Sequence, residues 1–299
     1  MFPIVFSTDH NFVMPTCVTI HSLLKTANPG VNYDIYLIVD SGVDTKDKKL
    51  LQQQVEKDNN ESRINFIDIG DTFENGFEIR NISKACYNRL MIPWVIPNYD
   101  KIIYSDVDII FKGDISELYN TDLKDALVAG VGGSVWNKGI IKKYLQKINA
   151  DSEEYINSGF LLINSKLQRE ENLKERYLTL SRKKFLYQDQ DIINLVCKGK
   201  IKKLPNSYNV KPIDCYNYEM NQIKVIHYMG QKPWDHFTFQ WVDWWDYYNT
   251  SVVYDPQLNK NLSKKIMTYQ YQIKSKSIVM KQKFKFLINY FMINKYKQN

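Results

Sequence analysis

The sequence predicts an α/β fold, a mostly parallel mixed sheet with helices on both faces. Three observations carry the prediction. Short apolar runs recur along the chain and end in polar residues, as buried parallel strands do. Segments with helical spacing and capping residues lie between them. The two kinds of segment alternate without an internal repeat or a low-complexity linker, the pattern of a layered α/β domain. Of 299 residues, 44% are hydrophobic and 24% charged, which supplies an ordinary core for one large domain, alone or with a small appendage.

The elements follow in order. "PIVFST" (3–8) is a short apolar run and reads as the first buried strand. A helical pattern occupies about 14–27 and is closed by the turn signal "NPG". "YDIYLIV" (33–39) is the second strand. "TKDKKLLQQQVEKD" (45–58) is a polar helix with Leu50, Leu51 and Val55 on one face. "INFIDI" (64–69) is the third strand, and 84–92 a helix expected to stop before Pro93. "KIIYSD" (101–106) and "ALVAGVG" (126–132) are strands four and five. "YINSGFLLIN" (155–164) is another strand, followed by a long polar helix at about 166–183. "QDQDIINLVCKG" (188–199) opens a helix with Asp189 near its cap. "IKVIHYMG" (223–230) is a last strand ending at His227. A boundary falls near residue 250, dividing a large domain at 1–250 from a basic region at 251–299.

That boundary rests on charge. The formal net charge is +7, but residues 256–299 carry ten lysines and no Asp or Glu, which leaves 30 basic and 33 acidic groups before them. Codon bias accounts for an excess of lysine over the six arginines, not for the missing acids. In "IVMKQKFKFLINYFMINKYK" (278–297), Phe284, Leu287, Ile288 and Phe291 recur at helical spacing with Lys281 and Lys285 beside them. A basic helix with an apolar face suits an anionic membrane surface. A helix docked on the protein's own core is the alternative. Nucleic acid draws on the same charge, but no nucleic-acid-binding motif accompanies it. The aromatic stretch "WDHFTFQWVDWWDYY" (234–248) has three open destinations: core first, then a membrane belt or an acceptor platform.

Cys17, Cys86, Cys197 and Cys215 are widely spaced and show no metal-ligand spacing, and "MFPIVFSTDH" lacks the basic start of a secretory leader. A reducing, cytoplasmic compartment is expected, with peripheral attachment to the inner face of the cell membrane through the tail. No run of about 18 apolar residues exists to span a bilayer.

The chemistry starts at "KIIYSDVDII" (101–110), where Asp106 and Asp108 interrupt an apolar run. Side chains two apart on a strand share a face, so at a strand's end both carboxylates converge. Open α/β sheets collect ligands beyond the carboxyl ends of their strands. Paired carboxylates repel, and a cation that prefers hard oxygen, Mg2+ or Mn2+, relieves the repulsion. Spacing alone leaves a solvent-exposed turn open as a second reading. Other strand ends add polar groups: Asp9 and Asn11, Asn157 and Gly159 in "NSG", Asp189 and Gln190 in "QDQD", and His227. An imidazole beside two carboxylates favours Mn2+ somewhat over Mg2+. In "HYMGQKPW", Lys232 offers charge to a phosphate, and Gly230 a close backbone approach.

Six segments in order, "IVFSTDHN", "CYNRL", "KIIYSDVDII", "NSGFLLIN", "YQDQDI" and "HYMGQKPW", resemble the motifs of family-eight retaining glycosyltransferases over about residues 3–235. The resemblance implies a GT-A type, Rossmann-like nucleotide-sugar-binding domain, a UDP-sugar donor, Mn2+ dependence and retention of anomeric configuration. Similarity to the bacterial lipooligosaccharide and lipopolysaccharide members implies transfer of galactose or glucose to a lipid-linked or lipopolysaccharide-type glycan. By the same resemblance Asp9 and Asn11 hold the uridine, and Arg89 the diphosphate or sugar. Asp106, Asp108 and His227 bind the metal, with Asp106 also against the ribose. Asn157, Asp189 and Gln190 frame the donor sugar and its anomeric carbon, and Gly230 and Lys232 bind the diphosphate.

The chain departs from that pattern twice. "GQK" is one residue shorter than the family's last motif often is, and "GVGGS" follows strand five where related transferases often carry an acid. Galactose and glucose donors differ at one hydroxyl, and both stay open. Retention is expected through front-face attack assisted by the leaving phosphate, with Gln190 lining the β face. A covalent intermediate would have Asp189 or Asp191 as its evident carboxylate.

Other classes are weighed by single features. A sugar nucleotidyltransferase shares paired acids but needs a glycine- and arginine-rich loop after its first strand, where this chain has "STDHNF". A phosphatase using the first aspartate would want Thr or Val at Ile110. A non-catalytic membrane-binding protein on a nucleotide-sugar fold would have no need to retain Asp106, Asp108, His227, Asp189 and Gln190 together.

Overall fold

In the computed structural model, which describes residues 1–78, 84–236 and 238–273, β1 (Phe2–Thr8) is the axis of a seven-stranded sheet. It pairs in parallel with β2 (Tyr33–Val39) on one side and β4 (Lys101–Ser105) on the other, and β2 carries β3 (Arg63–Asp68) in parallel. Beyond β4 come β7 (Ile156–Asn164), antiparallel to it, then β6 (Val128–Gly132), antiparallel to β7, and β8 (Ile201–Lys203), parallel to β6. The order is β3-β2-β1-β4-β7-β6-β8, so β7 alone runs against the rest.

A parallel strand buried on both faces sends alternate residues to two different cores. Ile4 and Phe6 of β1 pack with Cys17, Ile20 and Leu23 of α1 (Val13–Thr26) and Leu51 and Val55 of α2 (Thr45–Asp58). Val5, between them, joins the opposite core with Tyr87, Ile92 of α3 (Ile92–Val95), Tyr177 of α6 (Lys174–Ser181) and Ile192 of α7 (Gln188–Val196). The predicted 45–58 helix is matched to the residue. Asp44 accepts from the Asp47 N–H and Asp47 answers from its own side chain, a reciprocal cap that fixes the start.

The chain leaves the main sheet at Asp106. Residues 109–111, read from the sequence only as a resumed apolar run, form β5 (Ile109–Phe111). This strand pairs antiparallel with β9 (Val225–His227) in a separate two-stranded sheet. The last strand is thus shorter than the predicted 223–230 and lies outside the main sheet. Ile109 stands opposite His227 in this pairing.

Three other expectations change. Pro93 does not stop the 84–92 helix; a 3-10 segment Lys84–Met91 runs into α3 with Pro93 in its first turn, where no N–H is required. The long helix at 166–183 is two, α5 (Ser165–Glu170) and α6, because Asn172 takes a φ of 54° and turns Leu173 into the core. β8, only three residues long, and α4 (Gly139–Lys147) were not foreseen.

The aromatic stretch at 234–248 goes into a core. Trp244, Trp245 and Tyr248 of α8 (Trp241–Thr250) pack with Val18, Ile110 and Tyr228, and Trp244 stacks on Tyr248 at 5.3 Å. Leu258 and Leu262 of α9 (Pro256–Ile273) join the same cluster. The basic amphipathic stretch 278–297 lies outside the described residues. No described helix is long and apolar enough to cross a membrane.

Candidate active site

Sheet topology brings the polar residues to one edge. β1 and β4 are parallel neighbours, so Asp9 and Asp106, one residue past their ends, leave the sheet at the same side. β7 is reversed, so its first residues, Asn157 and Ser158, arrive at that edge too. The β5–β9 pairing adds His227, and the Tyr228 N–H donates to the Asp108 carbonyl at 2.9 Å. The 106–108 bend, not a shared strand face, makes the two aspartates converge.

Asp106, Asp108 and His227 bring one ligand atom each within 4.8 Å of one another. The Nε2 of His227 lies 3.2 Å from Oδ1 of Asp108 and 3.7 Å from Oδ2 of Asp106. Lys232 pairs with Oδ2 of Asp108 and donates to the Tyr228 carbonyl at 3.0 Å. Burial works to raise the Asp108 carboxyl, but the His227 ring, when protonated, and the Lys232 ammonium outweigh it and hold the group well below the usual carboxylate range.

Does a divalent cation suit these residues? Oδ1 of Asp108 is buried and accepts no hydrogen bond. On the histidine, Nδ1 faces the Oδ1 of Asn209 at 2.9 Å, so that nitrogen carries a proton and Nε2 is the one presented to the carboxylates. Two hard oxygens and one imidazole nitrogen then point at a common space, a donor set that fits Mn2+ or Mg2+.

A second layer of charge backs this cluster. Arg89, 9% exposed, pairs through Nη2 with Oδ1 of Asp106 at 2.9 Å and through Nε with Oδ2 of Asp189 at 3.2 Å. Its Nη1 donates to the Ser158 carbonyl at 2.8 Å, and its Cζ lies 4.6 Å from the Tyr104 ring centre. Every arm of the guanidinium is engaged by protein, so Arg89 neutralises two acids here. Burial raises the Asp189 carboxyl above its ordinary value, although Arg89 pulls the other way. Asp189 also accepts from the Ser158 hydroxyl at 2.8 Å, and Tyr104 donates to Asp106 at 2.7 Å.

Asn157 and Gln190 meet at 2.9 Å, amide N–H to amide oxygen. Asp9 caps a 3-10 turn by accepting from the Asn11 N–H at 2.8 Å. Gly230, at φ +96°, turns the chain between His227 and Lys232, a conformation that glycine adopts without strain. The structure thus joins Arg89, Asp106, Asp108, Asp189, His227 and Lys232 in one network. Asp9 and Asn11 form a separate pair on the same edge.

Sequence reasoning missed three contributors. Tyr104 and Ser158 lie inside "KIIYSDVDII" and "NSGFLLIN" without being singled out, and Asn209 lies in none of the six segments. Gly159 was noted, but not its reason: a Cβ there would collide with the His227 ring and lie 2.7 Å from Oδ2 of Asp106.

Comparisons with known proteins agree with this geometry. The family model for glycosyl transferase family 8 matches residues 3–238. A putative glycosyltransferase of Haemophilus influenzae is 30% identical over 219 residues, covering 71% of this chain and 64% of that protein. The lipopolysaccharide glucosyltransferase WaaO of Escherichia coli is 28% identical, covering 82% of this chain and 74% of that protein. The bifunctional glycosyltransferase WbbM superposes with a TM-score of 0.74 at 26% identity, over 89% of this chain and 52% of that one. The galactosyltransferase LgtC, solved with donor and acceptor sugar analogues, superposes with a TM-score of 0.74 at 23% identity, over 87% of this chain and 99% of that one. The chain thus spans just under two thirds of the Haemophilus relative and about half of WbbM. With the family's model covering most of its length and a GT-A fold shared with these structures, the chain belongs to glycosyl transferase family 8.

Proposed function

We propose that the chain is a retaining, metal-dependent transferase that moves galactose or glucose from a UDP-sugar to a lipid-linked or lipopolysaccharide-type glycan. The observation that carries this is the cluster of Asp106, Asp108 and His227, with a buried carboxylate oxygen that has no hydrogen-bond partner, at the ligand-binding edge of the sheet. The glycan assignment leans on relatives named for lipopolysaccharide transfer, including a 1,3-galactosyltransferase of Salmonella typhimurium that is 24% identical.

In this reading Asp106, Asp108 and His227 hold Mn2+, with Mg2+ as the substitute, and the cation supplies Lewis-acid stabilisation of the leaving diphosphate. Lys232 leaves Asp108 for the diphosphate, beside a close approach of backbone at Gly230. Asp9 and Asn11 hold the uridine. Asp189 and Asn157 orient the donor sugar, with Arg89 as their charge partner and support, and Gln190 lines the face from which the anomeric carbon is exposed. Front-face attack is the favoured route. Asp191 is fully buried and accepts from the hydroxyls of Tyr144 and Tyr155 and the Tyr187 N–H, so it is spoken for as a structural anchor and not as a nucleophile.

We assign catalysis to residues 1–250 and association with anionic membrane to the basic region 251–299. Within that region α9 docks on α8 through Leu258 and Leu262, so the membrane role falls to the chain beyond Ile273. The peripheral, inner-face location follows from this assignment.

The test is a screen of UDP-sugars with Mn2+, followed by NMR of the product linkage. The reading expects a hexose donor and an α-linked product. An inverted, β-linked product from an α-linked donor would overturn it, as would selective use of a nucleoside triphosphate with pyrophosphate release.

A further inference from the structure

Between the cation cluster and the donor-sugar residues runs a single line of hydrogen bonds whose polarity can be deduced from its ends. The Gly159 N–H points at one oxygen of Asn157 at 3.0 Å. A backbone N–H only donates, so this atom is Oδ1 and the other side-chain atom is the amide nitrogen. That nitrogen faces Gln190 at 2.9 Å, which makes the Gln190 atom its oxygen. The Ser158 N–H also donates to that Gln190 oxygen, at 3.3 Å, which requires the same polarity.

Oδ1 of Asn157 also receives Asn209 at 2.8 Å, so the Asn209 atom is its amide nitrogen. The remaining Asn209 atom is therefore Oδ1, and it lies 2.9 Å from Nδ1 of His227. An acceptor at that distance demands a proton on Nδ1. Asn209 is 7% exposed, so water does not substitute readily for either contact. It is held in place by its neighbours: the Asn209 N–H donates to the Asn206 carbonyl at 3.1 Å, and the His227 N–H donates to the Val210 carbonyl at 2.9 Å.

We infer that Asn209 is a positioning residue with two separable tasks, orienting His227 for the cation through Oδ1 and holding Asn157 and Gln190 for the donor sugar through Nδ2. This rests on the cation-dependent reading of the site given above. It makes one neutral side chain the link between the element that carries the metal ligand, β9, and those that carry the sugar contacts, β7 and α7. Partners of metal-bound histidines generally contribute about 10- to 100-fold to metal affinity.

The test compares Mn2+ affinity, read from the electron paramagnetic resonance signal of free Mn2+, with kcat and KM on the accepted UDP-sugar. The variants are Asn209→Ala, Asn209→Asp and His227→Ala. Asn209→Ala loses both tasks, so Mn2+ affinity falls roughly tenfold and kcat falls with it. Asn209→Asp keeps an acceptor for Nδ1 but turns a second oxygen toward Oδ1 of Asn157. Its Mn2+ affinity stays within about threefold of wild type, while turnover stays low. Equal loss of Mn2+ affinity in both Asn209 variants would reduce Asn209 to a packing residue and overturn the inference. So would wild-type affinity in Asn209→Ala alongside a loss in His227→Ala. Unchanged affinity in His227→Ala overturns the metal site itself, a distinct outcome.

Discussion

Lys232 lays its ammonium on one oxygen of Asp108 while Nε2 of His227 faces the other at 3.2 Å. The lysine thus offsets the charge that a divalent cation would offset, and the two compete for one carboxylate. Removing the ammonium therefore favours the cation when no nucleotide is present. Lys232→Met should bind Mn2+ about five- to tenfold more tightly than wild type in isolation, a modest effect for a partly exposed ion pair. With UDP present the sign reverses, because the diphosphate loses a partner. Calorimetric titrations of Mn2+ with and without UDP check both halves.

Gly159 is required by the cluster and not by its own backbone. Replacing it with alanine puts a Cβ into the His227 ring and against Asp106. Gly159→Ala should lose Mn2+ affinity by about 10- to 100-fold while retaining the wild-type far-ultraviolet circular dichroism, since disturbing the groups that orient metal ligands typically costs that much. Retained Mn2+ binding in a folded variant would remove the cluster's geometric basis.

Arg89 compensates two acids at once, and its loss leaves both without their buried partner. Arg89→Met should destabilise the fold by about 3–5 kcal/mol, the range seen when one member of a buried ion pair is deleted. Thermal unfolding reads this as a fall in Tm of roughly 6–15 °C. Cation binding should suffer less than stability, because Arg89 sits behind Asp106 and not among the ligands.

Asp191 offers a pH signature. Burial raises its carboxyl, against the pull of the Tyr144 and Tyr155 hydroxyls. A folded pKa above the unfolded one means the native state holds its proton longer. Stability from this group is present below the unfolded value and is lost as pH rises through the raised one. Asp191→Asn, which keeps an oxygen acceptor and drops the charge, should flatten that part of the stability profile in urea titrations between pH 4 and neutrality. Asp191→Ala leaves buried donors unpaired and should lose about 2–4 kcal/mol.

The aromatic core of α8 packs α9 against the rest of the described chain. Trp244 is fully buried and touches both neighbours in the helix, while Leu262 of α9 closes the same cluster. Cutting the chain before α9 would open this core, so the membrane assignment is tested by deleting 274–299 instead. That deletion should abolish binding to vesicles containing anionic lipid and leave donor turnover intact; unchanged vesicle binding would end the membrane role.

Much of the architecture was legible because it is written in local pattern. The first three strands, α1 and α2 follow from apolar runs, caps and turn residues that neighbours in sequence decide. Failures came where a distant contact decides. Asn172 breaks a helix because Leu173 has a core to reach, and 109–111 becomes a strand because 225–227 arrives to pair with it. The site divides in the same way. "SDVD" advertises its chemistry through two charges in an apolar run. Asn209 is an ordinary polar residue in sequence, and only the folded chain shows that its two ends meet Asn157 and His227.

In the proposed reading, Asp106, Asp108 and His227 bind a cation that the chain uses to release UDP from a hexose donor. The direct measurement is the rate of UDP release from UDP-galactose and UDP-glucose, with Mn2+ or with chelator, for wild type and Asp108→Asn. Wild type should release UDP from at least one donor, at a rate that falls by about 100-fold or more with chelator or with Asp108→Asn, the scale lost when a catalytic charge stabiliser is removed. Release at the wild-type rate in chelator and in Asp108→Asn would rule out a cation held by these residues.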